Sequence, residues 1–277
     1  MQAIKKISII GVGFMGGSLA LSIKKSFPQI SVWGYARNLT SYNKLKKLNI
    51  LDKVECDLKA LVSDADIVIL ATPVYLIIKY LKKIANFLKK STIVTDIGST
   101  KELITKYAKI YLPKNVTFVG CHPLCGSQKS GANFSDPNLY KDAICIVTTP
   151  FKKYGVSIIK ELWETVGAKV VFISPSLHDK IISTFSHLPH IIAFSLINVA
   201  NQKILKFAPQ SFKDLTRISA SSPSVWKDIF LTNKYITADI ESFIKFLRQF
   251  QVAIKKQDQK TIVKLINEAN KKYSLFL

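Results

Sequence analysis

The sequence predicts an α/β fold: a doubly wound parallel sheet over residues 1–174, followed by an all-helical domain over residues 175–277. Three observations carry this. Short, β-branched runs alternate with helical patterns as far as Ser174. The first run, Ile7–Ile10, feeds directly into the glycine loop Gly11-Val12-Gly13-Phe14-Met15-Gly16. From Pro175 the strand signal stops. A hydrophobic content of 48% with 21% charged residues is that of a chain that buries a core.

Ile7–Ile10 has the apolar, β-branched character of a central strand buried on both faces. The strand, the G-x-G-x-x-G turn and a helix over Leu19–Lys25 form, in that order, a Rossmann-type dinucleotide fingerprint. The first glycine makes the turn, the second admits backbone to the pyrophosphate, and the third lets helix pack on strand. Gly11, Gly13, Phe14, Met15 and Gly16 are therefore candidate cofactor residues. A second strand, Ile30–Tyr35, ends about twenty residues further on, where an NAD-specific site places an acid on the ribose 2′-hydroxyl. Here the chain reads Ala36-Arg37-Asn38. With no carboxylate to repel a 2′-phosphate and an arginine able to grip one, NADP is preferred and NAD remains possible.

Ser41–Asn49 reads as a helix, and Ile67–Leu70 as a strand ending at Ala71-Thr72-Pro73, a cofactor-lining loop that adds Thr72 and Pro73 to the candidates. An amphipathic helix over Val74–Lys90 and a strand over Ile93–Asp96 follow. Gly98-Ser99-Thr100-Lys101 opens a helix to about Leu112, with Ser99 and Glu102 spaced as a capping box. The strand Val116–Cys121 delivers His122 and a polar, glycine-bearing segment to a carboxyl edge of the sheet, where such folds bind ligands. Strands at Ala143–Thr148 and Lys169–Ile173, with a helix over Val156–Val166 between them, complete the first domain.

Beyond it lies an apolar helical stretch over Leu177–Leu205, expected to kink at Pro189, with His187 and His190 on one face. Helices at Ala208–Ser221, Pro223–Leu231, Asn233–Lys255 and Asp258–Lys272 follow. A helical domain of this size needs a partner for its apolar faces, and a second copy, giving a homodimer, is the economical one.

The net charge of +22 is spread over both halves, and no basic groove interleaved with aromatics accompanies it, so nucleic acid is not an expected partner. Only three of the 40 basic residues are arginine, namely Arg37, Arg217 and Arg248, which marks each as a place where a planar fork could matter. The four cysteines lack C-x-x-C spacing and suit a reducing compartment; no metal site is expected. No apolar run of membrane-spanning length is evident and the chain opens almost at a strand, so a cytoplasmic protein is expected, with no membrane partner.

Taken together, the segments GVGFMGGSLALSIKK, DIGSTK, GCHPLCGSQKSG, NLYKDAICIVTTP, SPSLHDKIISTFSHLPHIIAF, FKDLTRIS and SPSVWKDIFLTN resemble, in kind and order, the prephenate/arogenate dehydrogenase family of tyrosine biosynthesis. The resemblance implies oxidation of a cyclohexadienol: hydride leaves the ring carbon bearing the 4-hydroxyl, CO2 is lost and the ring aromatises. It implies that His122 accepts the hydroxyl proton, that Ser99 orients the hydroxyl, and that His190 stands near the ring, with His187 structural. It further implies that Arg217 grips a substrate carboxylate, that Ser127 and Gln128 lie against the substrate, and that Asp214 and Trp226 shape the pocket or a subunit contact around it.

Two departures stand out. Gln128 replaces the glutamate usual in the family's HP-x-x-G-T segment, which removes negative charge from the pocket. Ala208-Pro209-Gln210-Ser211 replaces a glycine-rich stretch. No fused regulatory or mutase domain is expected within the 277 residues, and any tyrosine feedback is expected at or near the active site. The competing reading is a non-catalytic dinucleotide- or nucleic-acid-binding protein on the same scaffold.

Overall fold

A computed structural model describes residues 1–125, 129–150 and 153–275. Its sheet has eight strands in the order β3-β2-β1-β4-β5-β6-β7-β8. They are β1 (Lys6–Ile10), β2 (Ser31–Tyr35), β3 (Lys53–Glu55), β4 (Ile67–Leu70), β5 (Ile93–Asp96), β6 (Thr117–Pro123), β7 (Ile144–Val147) and β8 (Lys169–Phe172). The ladder from β3 to β6 is parallel; β7 runs antiparallel to β6 and parallel to β8. β1 and β4 are the centre: Ile7 is in register with Val32 on one side and Ile67 on the other, and every residue of both strands is buried. The strand order reverses between β1 and β4, which opens a crevice at their carboxyl ends.

Helices cover both faces. In the first domain these are α1 (Phe14–Ser26), α2 (Leu39–Leu48), α3 (Leu58–Val62), α4 (Val74–Ile84), α5 (Glu102–Tyr111) and α6 (Val156–Thr165). One core gathers Leu19, Ile23, Trp163 and the alternate residues Ile7 and Ile9; the other gathers Ile10, Val68, Ile77 and Leu81 on the opposite face. The helix expected at Leu19 begins instead at Phe14, inside the glycine loop. A Cβ at Gly16 would run into the Gly11 carbonyl oxygen, so the glycines let the helix start that close to the strand. β3 and α3 are additional to the sequence reading. Both are too short to show a periodicity, and α3 is held by its Asp57 cap, which accepts from the Lys59 N–H at 2.7 Å.

The capping box expected at Ser99 is absent. α5 begins at Glu102, and its first N–H groups are met from the second domain: Asp179 Oδ1 accepts from Lys101 N at 2.7 Å and Oδ2 from Glu102 N at 2.9 Å. A distant carboxylate therefore does the work assigned to the local serine.

The second domain contains α7 (Pro175–Ile182), α8 (Leu188–Val199), α9 (Gln210–Thr216), α10 (Pro223–Thr232), α11 (Ile236–Lys255) and α12 (Gln259–Ser274). The break expected at Pro189 is taken up one turn earlier by a π-helical turn over Ser183–His187, which leaves Pro189 as the second residue of α8. Residues 175–199 thus form one helical run whose most apolar 18-residue window has a mean hydropathy of 1.3, long and apolar enough to cross a membrane by length and composition alone. The sequence reading had found no run of that length, because Asp179, Lys180 and the histidines interrupt it. Only 22% of that run's most apolar window is buried within the chain.

Behind β5 and β6, Lys101 and Asp96 form an ion pair with both side chains 0% exposed. Lys101 Nζ also donates to the Cys121 carbonyl at 2.7 Å, and Asp96 accepts from Gly98 N at 2.8 Å. Removing one partner strands a buried charge. Lys101→Met is expected to lose about 3–5 kcal/mol of stability, read from the urea unfolding midpoint; an unchanged midpoint would show that the pair contributes nothing net.

Candidate active site

The glycine loop leaves space where a ligand belongs. Gly11 has φ +102°, and a Cβ there would crowd the Ala71 carbonyl; a Cβ on Gly13 would meet nothing within 4 Å. α1 starts after Gly13 without a side-chain cap, so its first N–H groups face that space. Beside it the Thr72 hydroxyl is buried with no hydrogen-bond partner among the described residues. An uncapped helix end, an open cradle and an orphaned hydroxyl fit the pyrophosphate of a dinucleotide.

Three cavities follow one another along the carboxyl edge of the sheet. A cavity of about 370 Å3 is lined by Gly11, Gly13, Tyr35, Arg37, Ser41, Lys44, Thr72, Pro73 and Tyr80. A narrower one of about 170 Å3 is lined by Met15, Thr72, Pro73, Gly98, Ser99 and Ile229. The third, about 520 Å3, is lined by Ser99, His122, His187, His190, Arg217, Trp226 and Ile229. Thr72 and Pro73 belong to the first and second, Ser99 and Ile229 to the second and third.

The cofactor candidates divide accordingly. Gly11, Gly13, Arg37, Thr72 and Pro73 line the first cavity and Met15 the second. Phe14 and Gly16 are buried in the first turn of α1. Ala36 is buried in the core, and the Asn38 side chain accepts from Ser41 N at 2.9 Å as the cap of α2; neither lines the cavity. Ser41 and Lys44, one turn apart on α2, take their place beside Arg37. Sequence reasoning missed them because it stopped at the strand end.

In the large cavity the histidines are held in different ways. His122 sits in β6 with its backbone in register with Ile146 of β7, so the sheet fixes where its ring emerges. Its Nδ1 lies 2.8 Å from Nε2 of His178. Burial, with help from His178 and the Lys101 charge, holds the His122 pKa well below the ordinary imidazole value, so the ring is neutral near pH 7. His190 lies flat on the Trp226 indole, 3.6 Å between ring centres, with Nδ1 2.8 Å from the Ser186 carbonyl. That carbonyl can only accept, so Nδ1 carries the proton of neutral His190. His187, expected to be structural, also lines the cavity: Asn233 Nδ2 donates to its Nδ1 at 3.0 Å, and desolvation lowers its pKa to about 4.

Arg217 enters from the short turn after α9, and Trp226 from α10. Asp214 lies instead on the exposed face of α9, accepting from Gln210 Nε2 at 2.8 Å, outside the cavity lining. Ser127 and Gln128 lie outside the described residues. The residues that sequence reasoning missed, His178, Asp179 and Asn233, are buried behind the wall rather than in it. Their only sequence signal was the adjacent His-Asp pair at the start of the helical domain. Among the described residues no group of His, Cys, Asp and Glu is placed to hold a metal.

The geometry thus offers a neutral imidazole and a hydroxyl at one end of a cavity, an arginine in the same wall, and a dinucleotide cradle leading into it. Comparisons with known proteins agree. The family model described as prephenate dehydrogenase, nucleotide-binding domain, matches residues 19–172, and the one described as prephenate dehydrogenase, dimerization domain, matches residues 174–268. The chain is 36% identical to a prephenate dehydrogenase of Lactococcus lactis, over 96% of this chain and 76% of the relative. It is 31% identical to a cyclohexadienyl dehydrogenase of Zymomonas mobilis, over 98% and 96%. A crystal structure of the prephenate dehydrogenase of Aquifex aeolicus, in complex with hydroxyphenyl propionate and NAD+, superposes with a TM-score of 0.88 at 34% identity, covering 99% of both chains. The chain belongs to the prephenate dehydrogenase family.

Proposed function

We propose that the chain is an NADP-preferring dehydrogenase of tyrosine biosynthesis that oxidises and decarboxylates prephenate or arogenate, with His122 as base, working as a cytoplasmic homodimer. The observation that carries this reading is the neutral His122 ring at the end of β6, beside Ser99, in the cavity that runs on to the glycine loop. The bound nicotinamide dinucleotide supplies the hydride acceptor.

The chain's own residues do the rest. The loop amides at the start of α1 and the Thr72 hydroxyl would hold the pyrophosphate. The narrow cavity lined by Met15, Ser99 and Ile229 would then be open to the nicotinamide. His122 Nε2 accepts the 4-hydroxyl proton as hydride leaves the same ring carbon, and Ser99 orients that hydroxyl. The electron pair of the breaking carboxylate bond then enters the ring, CO2 departs and the ring becomes aromatic. Arg217 holds a carboxylate of the substrate by a paired, charge-assisted contact. His190, presenting Nε2 from its seat on Trp226, borders the ring or its side chain. Desolvation keeps His122 and His190 neutral, which spares the pocket positive charges that would have to be displaced when the base takes up a proton.

Arg37 supports NADP, and Lys44 and Ser41 add a charge and a hydroxyl at the same wall. For the dimer, the support is the family's dimerization domain together with the apolar side chains left exposed on these helices, among them Phe185 at 75% and Phe207 at 74%.

Purified protein with prephenate and with arogenate, each with NADP+ and NAD+, tests the reading through the absorbance of reduced nicotinamide. Turnover is expected with at least one substrate and faster with NADP+; no turnover in all four combinations would refute it. His122→Asn is expected to lower kcat by about a hundred-fold or more while cofactor binding stays near that of the wild type; kcat within about threefold of wild type would remove His122 from catalysis. Because the neutral form is active and its pKa is depressed, kcat/KM should hold as pH falls through about 6.5 and drop only below it. Arg37→Ala should raise the KM for NADP+ by about ten- to a hundred-fold, the loss of a charged hydrogen-bonding pair, and leave that for NAD+ nearly unchanged; equal losses would place Arg37 outside the 2′-phosphate site.

A further inference from the structure

Behind the cavity wall the hydrogen bonds continue past the base. Asp179 Oδ1 lies 2.7 Å from Nδ1 of His178, and Nε2 of His178 lies 2.8 Å from Nδ1 of His122. His178 is 0% exposed and Asp179 1%. Asp179 is held in turn: its carboxylate accepts the Lys101 and Glu102 amides, and its own carbonyl accepts from Asn233 Nδ2 at 2.7 Å. The ring planes of His122 and His178 are inclined at 63°, so the two rings meet through their nitrogens rather than by stacking.

The proton positions follow from what each atom can do. An ionised carboxylate only accepts, so Nδ1 of His178 carries the hydrogen and its Nε2, in the neutral ring, is bare. A bare Nε2 only accepts, so Nδ1 of His122 carries the hydrogen. That leaves Nε2 of His122 with its lone pair toward the cavity. We infer that His178, locked by Asp179, is a positioning residue that sets the tautomer of His122 and so makes it a base rather than a donor. The inference rests on the reading of His122 as base.

It explains an arrangement otherwise costly to fold. A histidine and a carboxylate are buried together at the joint between the domains, where apolar residues of similar volume would pack without desolvation. When the substrate hydroxyl gives its proton to Nε2, the positive charge on His122 is shared through His178 toward the Asp179 carboxylate. The other charged or titratable groups facing this pair of rings include Lys101 and Asp96 from the β5 side, His187 from the π-helical turn, and His190 and Arg217 in the cavity wall. Lys101 is paired with Asp96 yet its charge still opposes protonation of His122, and His187 is neutral because its pKa is about 4. Asp179 is the carboxylate hydrogen-bonded to this pair of rings, through His178, and the new charge is shared toward it.

Ring-nitrogen NMR of histidine-labelled enzyme, with steady-state kinetics of two variants, tests it. Wild-type His122 at neutral pH is expected to show a protonated Nδ1 and a bare Nε2. His178→Leu should lose that preference and lower kcat by tenfold to about ten-thousand-fold, the range up to the loss known for a wrongly held tautomer, with cofactor KM unchanged. His178→Gln, whose amide can donate to Asp179 and present its oxygen to Nδ1 of His122, should restore the tautomer and recover kcat to above that of the leucine variant, with the acid limb of the pH profile returning toward that of the wild type. A protonated Nε2 in the wild type, kcat in His178→Leu within about twofold of wild type, or a glutamine variant no better than leucine would each overturn the inference. If His178→Leu does not fold, the wild-type tautomer and the glutamine variant decide. If wild type turns over neither substrate, the proposed function fails, while the ring-nitrogen measurement still decides the tautomer.

Discussion

One carboxylate joins the two halves of this molecule. Asp179 stands at the start of the helical domain, yet its oxygens are spent on the first domain's α5 amides and on His178. The site depends on that placement. It anchors α7 against the carboxyl edge of the sheet, which brings the π-helical turn, α8 and α10 over β5 and β6. It also places His178 behind the base. A shift of α7 along its axis would cost the cap of α5 and the support of His122 together.

Against this joint, the sheet supplies what must not move. The parallel core from β3 to β6 presents its carboxyl ends to one crevice, and the glycine loop, the Ala71-Thr72-Pro73 turn and Ser99 all lie along it. Pairing of β6 with the antiparallel β7 extends β6 as far as Pro123, so His122 belongs to a strand rather than a mobile loop. Rigid elements thus carry the glycine loop and His122, while the helical domain contributes His187, His190, Arg217 and Trp226 to the cavity wall. The apolar faces left open on those same helices are where a second copy would complete the assembly.

Much of this was legible in the sequence, for physical reasons. β1, β4 and β5 are buried on both faces and read as short, β-branched, largely apolar runs, and the fingerprint glycines sit where a side chain would collide or would block a ligand. His122, Ser99, His190, Arg217 and Trp226, taken from widely separated segments, converge on one cavity. What escaped was what depends on tertiary partners. Ser99 looks like a cap because the sequence shows only local candidates, whereas Asp179 does the capping from 78 residues away. Asn38, a cofactor candidate because it follows Arg37, is committed to capping the start of α2, while Ser41 and Lys44 reach the cavity from that helix. Asp214 lies near the arginine in sequence yet faces outward. His178 and Asp179 carry no spacing signature, because their partners lie on β6 and at the start of α5.

The central claim is an orientation: the hydroxyl-bearing end of the substrate ring points at His122, with the carboxylates toward Arg217. A crystal structure of this chain with oxidised cofactor and an unreactive ring analogue bearing the 4-hydroxyl measures it directly. The account predicts the hydroxyl oxygen about 2.6–3.2 Å from Nε2 of His122, with the Ser99 hydroxyl beside it and the nicotinamide in the narrow cavity next to Ile229. A ring bound the other way round, with its hydroxyl at Arg217 and no oxygen within hydrogen-bonding reach of His122, would contradict it.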